Sequence, residues 1–293
     1  MYLSVITDQI DADLNTALRI AKEYGYRDVE LHNVFGKSIE QCDDSEVAQI
    51  KALLKEYNCR VSCIASTVFF LCPLLEGDHV SLFNPEFYTI EGGMEEHLCY
   101  LKRACEIAKA LDCPRVRIFP FRFPDNRSPY FGTDEHIALI TENVKKAVSV
   151  AAETGVTLVL ENCPYSHLPK GAMTIQVVSA IHSDCLKLLW DPANSYRAYK
   201  ENVPPQYLNT TLSEECKLIA PWIDHVHIKN YTYDPAFEKP FCHTSLRDGD
   251  IDFVQLFAQL DACGYQGAVS LEAETPWEET KDSLVWMKEK LSA

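Results

Sequence analysis

The chain has 293 residues, 47% hydrophobic and 24% charged, enough to bury one barrel-sized core or two smaller ones. With 43 acidic residues against 27 basic ones, the formal net charge of −16 disfavours nucleic acid and anionic membrane surfaces, and no local basic patch offsets it. The twelve cysteines show no paired spacing, the N-terminus lacks the features of a signal peptide, and no apolar run approaches the ~18 residues of a membrane span, so a cytoplasmic protein with reduced thiols is expected.

Short apolar runs rich in β-branched residues alternate with helical periodicity from end to end. The first strand is Tyr2 to Ile6, followed by a helix from about Asp11 to Tyr24 that Gly25 ends. Strand two is Asp28 to His32, with a helix over Asp43 to Tyr57, and strand three is Arg60 to Ala65. A long loop then reaches about Glu91, and the third helix ends at Leu111. Strand four, Arg115 to Phe119, precedes a helix from Thr133 to Thr154. Strand five, Val156 to Glu161, leads through a loop to a helix over Thr174 to Ile181. Lys187 to Asp191 is strand six, with a helix over Leu212 to Ile219. Asp224 to Lys229 is strand seven, with a helix from Asp252 to Cys263. Strand eight, Ala268 to Ala273, and a helix from Glu278 to Lys290 complete eight units. This pattern predicts a (β/α)8 barrel in one domain over residues 1–293. A doubly wound open sheet is the alternative, but no strand is followed by a Gly-rich phosphate fingerprint.

Helix-to-strand links are short, whereas several strand-to-helix links are long: Ser66 to Gly93, Pro120 to Gly132, Pro192 to Thr211 and Asn230 to Ile251. Long loops gathered at one end of a scaffold are usually functional, and in a barrel that end is the C-terminal face. The first of them carries Phe69, Phe70, Phe83, Phe87 and Tyr88, which suit self-packing, an oligomer contact between identical chains, or a water-excluding lid.

Period-two alternation divides each strand into an apolar and a polar face. Helices cover the outside of a barrel, so the polar set must point inward, and the interior is expected to be charged. Buried charges must be paired or bind a cation. Glu161, Asp191, His227 and Glu272 lie at or near the C-terminal ends of strands five to eight, and converge as a first shell for a divalent ion. Mostly oxygen ligands favour Mn²⁺ or Mg²⁺, with Zn²⁺ and Co²⁺ as alternatives. The competing arrangement is a salt-bridged network neutralised by Arg117 and Lys229. Glu30 and Arg117 are expected to pair inside the barrel, and His225 to support the core or His227.

These residues lie in Val159-Leu160-Glu161-Asn162, Trp190-Asp191-Pro192-Ala193-Asn194, Val226-His227-Ile228-Lys229-Asn230 and Gly267 to Glu274. Together the four segments resemble the signatures of xylose isomerase-like TIM barrels, which include ketose 3-epimerases, inosose dehydratases, hydroxypyruvate isomerases and AP endonucleases. Leu246 to Phe253 resembles the family's lead into the seventh helix, with Arg247 in place of a glycine. The resemblance covers essentially the whole chain. It implies that Glu161, Asp191, His227 and Glu272 are metal ligands and that Glu161 and Glu272 are catalytic, exchanging a proton through a metal-stabilised enediolate.

The resemblance therefore points to a sugar isomerase or epimerase acting on a carbohydrate, with an inosose-type dehydratase or a non-catalytic sugar-binding barrel as alternatives. Asn194, Lys229, His167 and Arg247 are candidate substrate contacts, although His167 and His243 also suit exposed loops. Asn194 stands where many members have histidine. An AP endonuclease would need further histidines on early strands, where only His32 is found. After strand eight, Glu274 to Glu279 would repel phosphate, favouring an unphosphorylated substrate, while Arg122, Arg127 and Arg197 leave a phosphorylated one open.

Overall fold

A computed structural model describes residues 1–82, 87–127, 131–198, 200 and 203–291. Phe83, one of the loop aromatics, lies outside them. The barrel strands are β1 (Tyr2–Ile6), β2 (Asp28–Leu31), β3 (Arg60–Ile64), β4 (Arg115–Ile118), β5 (Thr157–Glu161), β6 (Leu186–Trp190), β7 (Ile223–Ile228) and β8 (Ala268–Leu271). They pair in parallel in chain order, and β8 returns to β1 to close the cylinder. The helices are α1 (Leu14–Tyr24), α2 (Asp44–Tyr57), α3 (Met94–Ala110), α4 (Asp134–Thr154), α5 (Gly171–Ile181), α6 (Leu212–Ile219), α7 (Phe253–Ala262) and α8 (Trp277–Leu291). The expected (β/α)8 TIM barrel is therefore what forms.

Local chemistry sets the helix ends. The Asp13 carboxylate accepts the Thr16 N–H at 2.9 Å to start α1, and Gly25 ends it at φ 90, a left-handed conformation that costs glycine little. Asp43 and Glu46 form a reciprocal capping box on α2. Helix α5 begins three residues before the expected Thr174 because distant groups satisfy its first amides. The Gly171 N–H donates to Ser195 Oγ at 3.2 Å and the Ala172 N–H to Glu215 Oε1 at 3.0 Å.

Outward-facing Val29, Leu31, Val116, Ile118, Leu158, Leu160, Leu188, Trp190, Val226, Ile228, Val269 and Leu271 are buried under the helices. Each such side chain contributes ~1.5–3 kcal/mol. The inside is less uniformly charged than expected. Cys63, Val159 and Leu189 form a separate apolar cluster within it, and Ser4, Ser62 and Ser270 are buried polar groups of small volume. Charged groups lie on both sides of them: Arg115 pairs with Asp224 toward the N-terminal end, and Arg117, Glu161 and His227 stand toward the C-terminal mouth.

Three further elements occupy stretches expected as loops: the hairpins Asn33–Val34 with Lys37–Ser38 and Asn230–Tyr233 with Phe241–Thr244, and a short helix, Pro192–Arg197. The described part of the long loop after β3 packs on itself and on the rim. Phe69 stacks on Phe121 at 4.8 Å, Phe70 meets Phe119 at 4.9 Å and Phe87 at 5.2 Å, and Phe87 lies 4.7 Å from the His32 ring. Cys163 packs into this cluster. No cysteine is in a disulfide, and among the described residues no helix is long and apolar enough to cross a membrane.

Candidate metal centre

Four neighbouring strands, β5 to β8, bring Glu161, Asp191, His227 and Glu272 to one point. One oxygen or nitrogen from each lies within 4.8 Å of all the others. Opposite ligands of an octahedral ion with bonds of ~2.1 Å are roughly 4.2 Å apart, so only a small contraction separates this cluster from a coordination shell. Glu161, Asp191 and His227 are buried, and Glu272 is partly so.

His227 is oriented from behind. Its Nε2 lies 3.1 Å from Glu30 Oε2, and His225 Nε2 lies 2.6 Å from Glu30 Oε1. Proton donation from Nε2 to Glu30 leaves Nδ1 with a bare lone pair in the neutral ring. His227 Nδ1 makes no hydrogen bond and faces Glu161 Oε1 at 3.6 Å and Glu272 Oε2 at 3.8 Å. Those separations are long for hydrogen bonds and suited to ligands sharing an ion. Without an ion the surrounding carboxylates act on the ring instead. Burial works against charge on His227, but Glu30, Glu272 and Glu161 together hold its pKa well above the ordinary imidazole value.

The expected pairing of Glu30 with Arg117 is not what forms. Glu30 is taken by the two histidines, and burial notwithstanding they hold its carboxyl well below the usual range. Arg117 reaches across the barrel, 3.1 Å from Glu161 Oε2 and 3.4 Å from Glu272 Oε1, with its guanidinium over the Phe119 ring at 4.6 Å. The polarity of both strands was readable, but alternation specifies a face and not the partner across it.

Lys229 continues beyond β7 into the mouth, where its ammonium contacts Glu272, Glu274 Oε1 at 2.8 Å and Asp191 Oδ2 at 3.2 Å. Burial pushes the Asp191 carboxyl up to about 7, with Glu272 and Glu161 adding and Lys229 opposing. Glu272 is buried too, but Lys229, His227 and Arg117 outweigh that and hold it at about 2. Arg117 and Lys229 thus neutralise part of the site, as the salt-bridge alternative requires. The five carboxylates Glu30, Glu161, Asp191, Glu272 and Glu274 still outnumber these two permanent cations, leaving negative charge that a divalent ion would offset. In charge, donor set and the bare Nδ1, these residues fit a bound divalent cation.

Asn194 acts on the ligands themselves. Its Nδ2 donates to Glu161 Oε1 at 3.2 Å and to the Asn162 carbonyl at 2.9 Å. Asp191 caps the short Pro192–Arg197 helix by accepting the Asn194 N–H at 2.8 Å on Oδ1, which leaves Oδ2 for the site. Asn162 ties the same turn down, accepting the Asp191 N–H at 2.9 Å and donating to the Asp191 carbonyl at 2.8 Å.

Two expected substrate contacts are placed elsewhere. The Arg247 guanidinium, half exposed, pairs with Asp282 of α8 at 3.2 Å, a partner on the outer helical layer. The His167 ring is buried, contrary to the exposed-loop alternative, but it packs against Phe131 and His136. His243, by contrast, is carried by the second hairpin to Glu274 Oε2 at 3.3 Å.

Residues 18–290 match the family model for the xylose isomerase-like TIM barrel. The chain belongs to this family. Among curated relatives, an inosose dehydratase from Yersinia enterocolitica is 29% identical over 166 residues, covering 50% of each chain. A 3-dehydro-D-guloside 4-epimerase from Escherichia coli is 26% identical over 180 residues, 58% of this chain and 60% of the relative. The alignments thus span about half to three-fifths of these relatives. The solved structure of the IOLI protein with a binding zinc atom superposes at a TM-score of 0.72 and 16% identity, covering 100% of this chain and 98% of the other. At that identity the likeness speaks to the xylose isomerase-like fold. Glu30 is the member of the site that strand patterning alone assigned wrongly. The signal that could have found it is its inward position on β2 together with two histidines on the inner face of one other strand.

Proposed function

We propose that this chain is a divalent-metal-dependent isomerase or epimerase of an unphosphorylated ketose or polyol. The observation that carries this reading is His227, with Nε2 fixed on Glu30 and Nδ1 bare toward three carboxylates from neighbouring strands. Glu161, Asp191, His227 and Glu272 would hold the ion, and three oxygen donors favour Mn²⁺ or Mg²⁺, with Zn²⁺ or Co²⁺ tolerated. When bound, the ion supplies Lewis acidity to adjacent carbonyl and hydroxyl oxygens, which acidifies the C–H between them.

The chain's own residues then move the proton. Glu161 ends β5 and Glu272 follows β8, so their carboxylates approach a substrate from different sides of the mouth. One can remove a proton and the other return it, as an epimerase requires, while an aldose–ketose isomerase needs one of them. Arg117 touches both glutamates and fixes their separation, Asn194 orients Glu161, and Lys229 orients Glu272 or meets a substrate oxygen. The aromatic cluster around Phe70, Phe87 and Phe119 excludes water from one side.

Lys229 also favours a second reading, an inosose-type dehydratase, because an ammonium among the carboxylates can hydrogen-bond a departing hydroxide after the same proton abstraction. Metal analysis followed by solvent-deuterium exchange into a panel of ketoses and an inosose separates these. Exchange with epimerised or isomerised product supports the first reading, and loss of water from the inosose supports the second. Bound metal without exchange on any substrate indicates a sugar-binding barrel, and a chain that retains no divalent ion overturns the scheme.

A further inference from the structure

The proposed ligands come from β5 to β8, while the adjoining rim, where β1 and β2 follow β8 round the cylinder, carries a polar pair that the metal chemistry leaves unused. His32 directly follows β2, two residues beyond Glu30. Glu30 points inward to His225 and His227, and His32 lies in the bend that ends β2, buried against the turn after β1. Its Nδ1 lies 2.9 Å from Oδ2 of Asp8, which sits in the single turn Thr7–Gln9 after β1. Phe87 covers the ring, and His32 is only 4% exposed. Among the described residues, neither His32 Nε2 nor Asp8 Oδ1 has a hydrogen-bond partner.

Those two atoms define what the corner accepts. Donation of the Nδ1 proton to Asp8 leaves Nε2 of the neutral ring as an acceptor, and Asp8 Oδ1 is an acceptor as well. Buried acceptors without donors are costly, and O–H groups satisfy them. An ionised phosphate or carboxylate brings no donor and would meet the Asp8 carboxylate directly. We propose that His32, held by Asp8, accepts a hydrogen bond from a substrate hydroxyl remote from the reacting carbon, so that the enzyme selects a neutral polyol at that end. This inference rests on the sugar isomerase or epimerase reading and names a specificity residue for it.

The test is calorimetric binding to metal-loaded protein of neutral ketohexoses, the monodeoxy analogues of the one bound most tightly, and its terminal phosphate ester. His32→Phe should weaken binding of the intact sugar by ~10–100-fold. One monodeoxy analogue should bind the wild type equally weakly and lose nothing further in His32→Phe. His32→Gln, whose amide oxygen can still accept, should restore part of the affinity and serves as the folded control if the phenylalanine variant misfolds. Tight binding of the intact sugar that neither variant changes overturns the inference and leaves the isomerase reading standing. So does preference for the phosphate ester, or two metal ions per wild-type chain against one in His32→Phe, which would make His32 a ligand. A metal-loaded wild type that binds no ketose overturns both.

Discussion

Glu30 holds His227 from behind, its Oε2 3.1 Å from the histidine Nε2, while the other ring nitrogen faces the carboxylates. This contact fixes both the ring plane and the tautomer required of a metal ligand. Glu30→Gln should therefore weaken divalent-ion binding by ~10–100-fold with the barrel intact. Metal titration alongside circular dichroism checks this; unchanged affinity would mean that His227 does not depend on Glu30.

Glu272 is held ionised at about 2 despite burial, with Lys229, His227 and Arg117 responsible. As the proposed proton carrier it cannot be replaced by an amide of the same shape. Glu272→Gln should abolish solvent-deuterium exchange into substrate; the metal-free variant should stay folded by circular dichroism but melt below the wild type, because Lys229, His227 and Arg117 lose a charged partner. Retained exchange would remove Glu272 from the chemistry.

Lys229 is a cation among three carboxylates, and removing one partner of a buried ionic cluster costs ~3–5 kcal/mol. Lys229→Met should destabilise the metal-free protein by about that amount. Added Mn²⁺ should raise its melting temperature by more than it raises that of the wild type, because the ion replaces missing positive charge. If Lys229 serves substrate alone, stability will hold and only KM will rise.

Acid stability has a separate source, away from the proposed ligands. His97 is buried beside the long loop, where its Nδ1 accepts the Phe69 N–H at 2.9 Å, and burial lowers its pKa to about 4. The unfolded chain, at ~6.5, takes the proton first, so this contribution is complete above pH ~6.5 and is lost as pH falls toward 4. Between pH 7 and 5 the wild type should lose about 2 kcal/mol more than His97→Gln. Urea unfolding of the metal-free proteins at both pH values measures this, and equal losses would overturn it.

The barrel was legible because a strand under helices must alternate, and that same alternation exposed Glu161, Asp191, His227 and Glu272 as a set. What stayed hidden depended on partners distant in sequence. Glu30 could be placed on the inner face but not matched to its histidines, and the hydrogen bond from Asn194 to Glu161 was not legible beside its expected role as a substrate contact. The Pro192–Arg197 helix has a local signal in Asp191-Pro192, a cap followed by proline at the first helical position. The hairpin beyond Lys229 has only a weak one, Tyr231-Thr232-Tyr233 before the turn-forming Asp234-Pro235, which does not fix the pairing of Asn230 with Thr244. Arg247 has Asp282 as its partner, which only the folded helix α8 brings near.

Closure of the cylinder has a consequence for how the protein comes apart. Strand β8 zips onto β1 from Tyr2–Ala268 to Val5–Leu271, and Glu272 is the next residue. The seam joining the two ends of the fold therefore terminates at a proposed ligand, but β1 supplies none, so a bound ion would tie β8 to β5, β6 and β7 and leave the seam to its own ladder. Chelation should lower amide protection along β5 to β8 and leave β1 and β2 little changed.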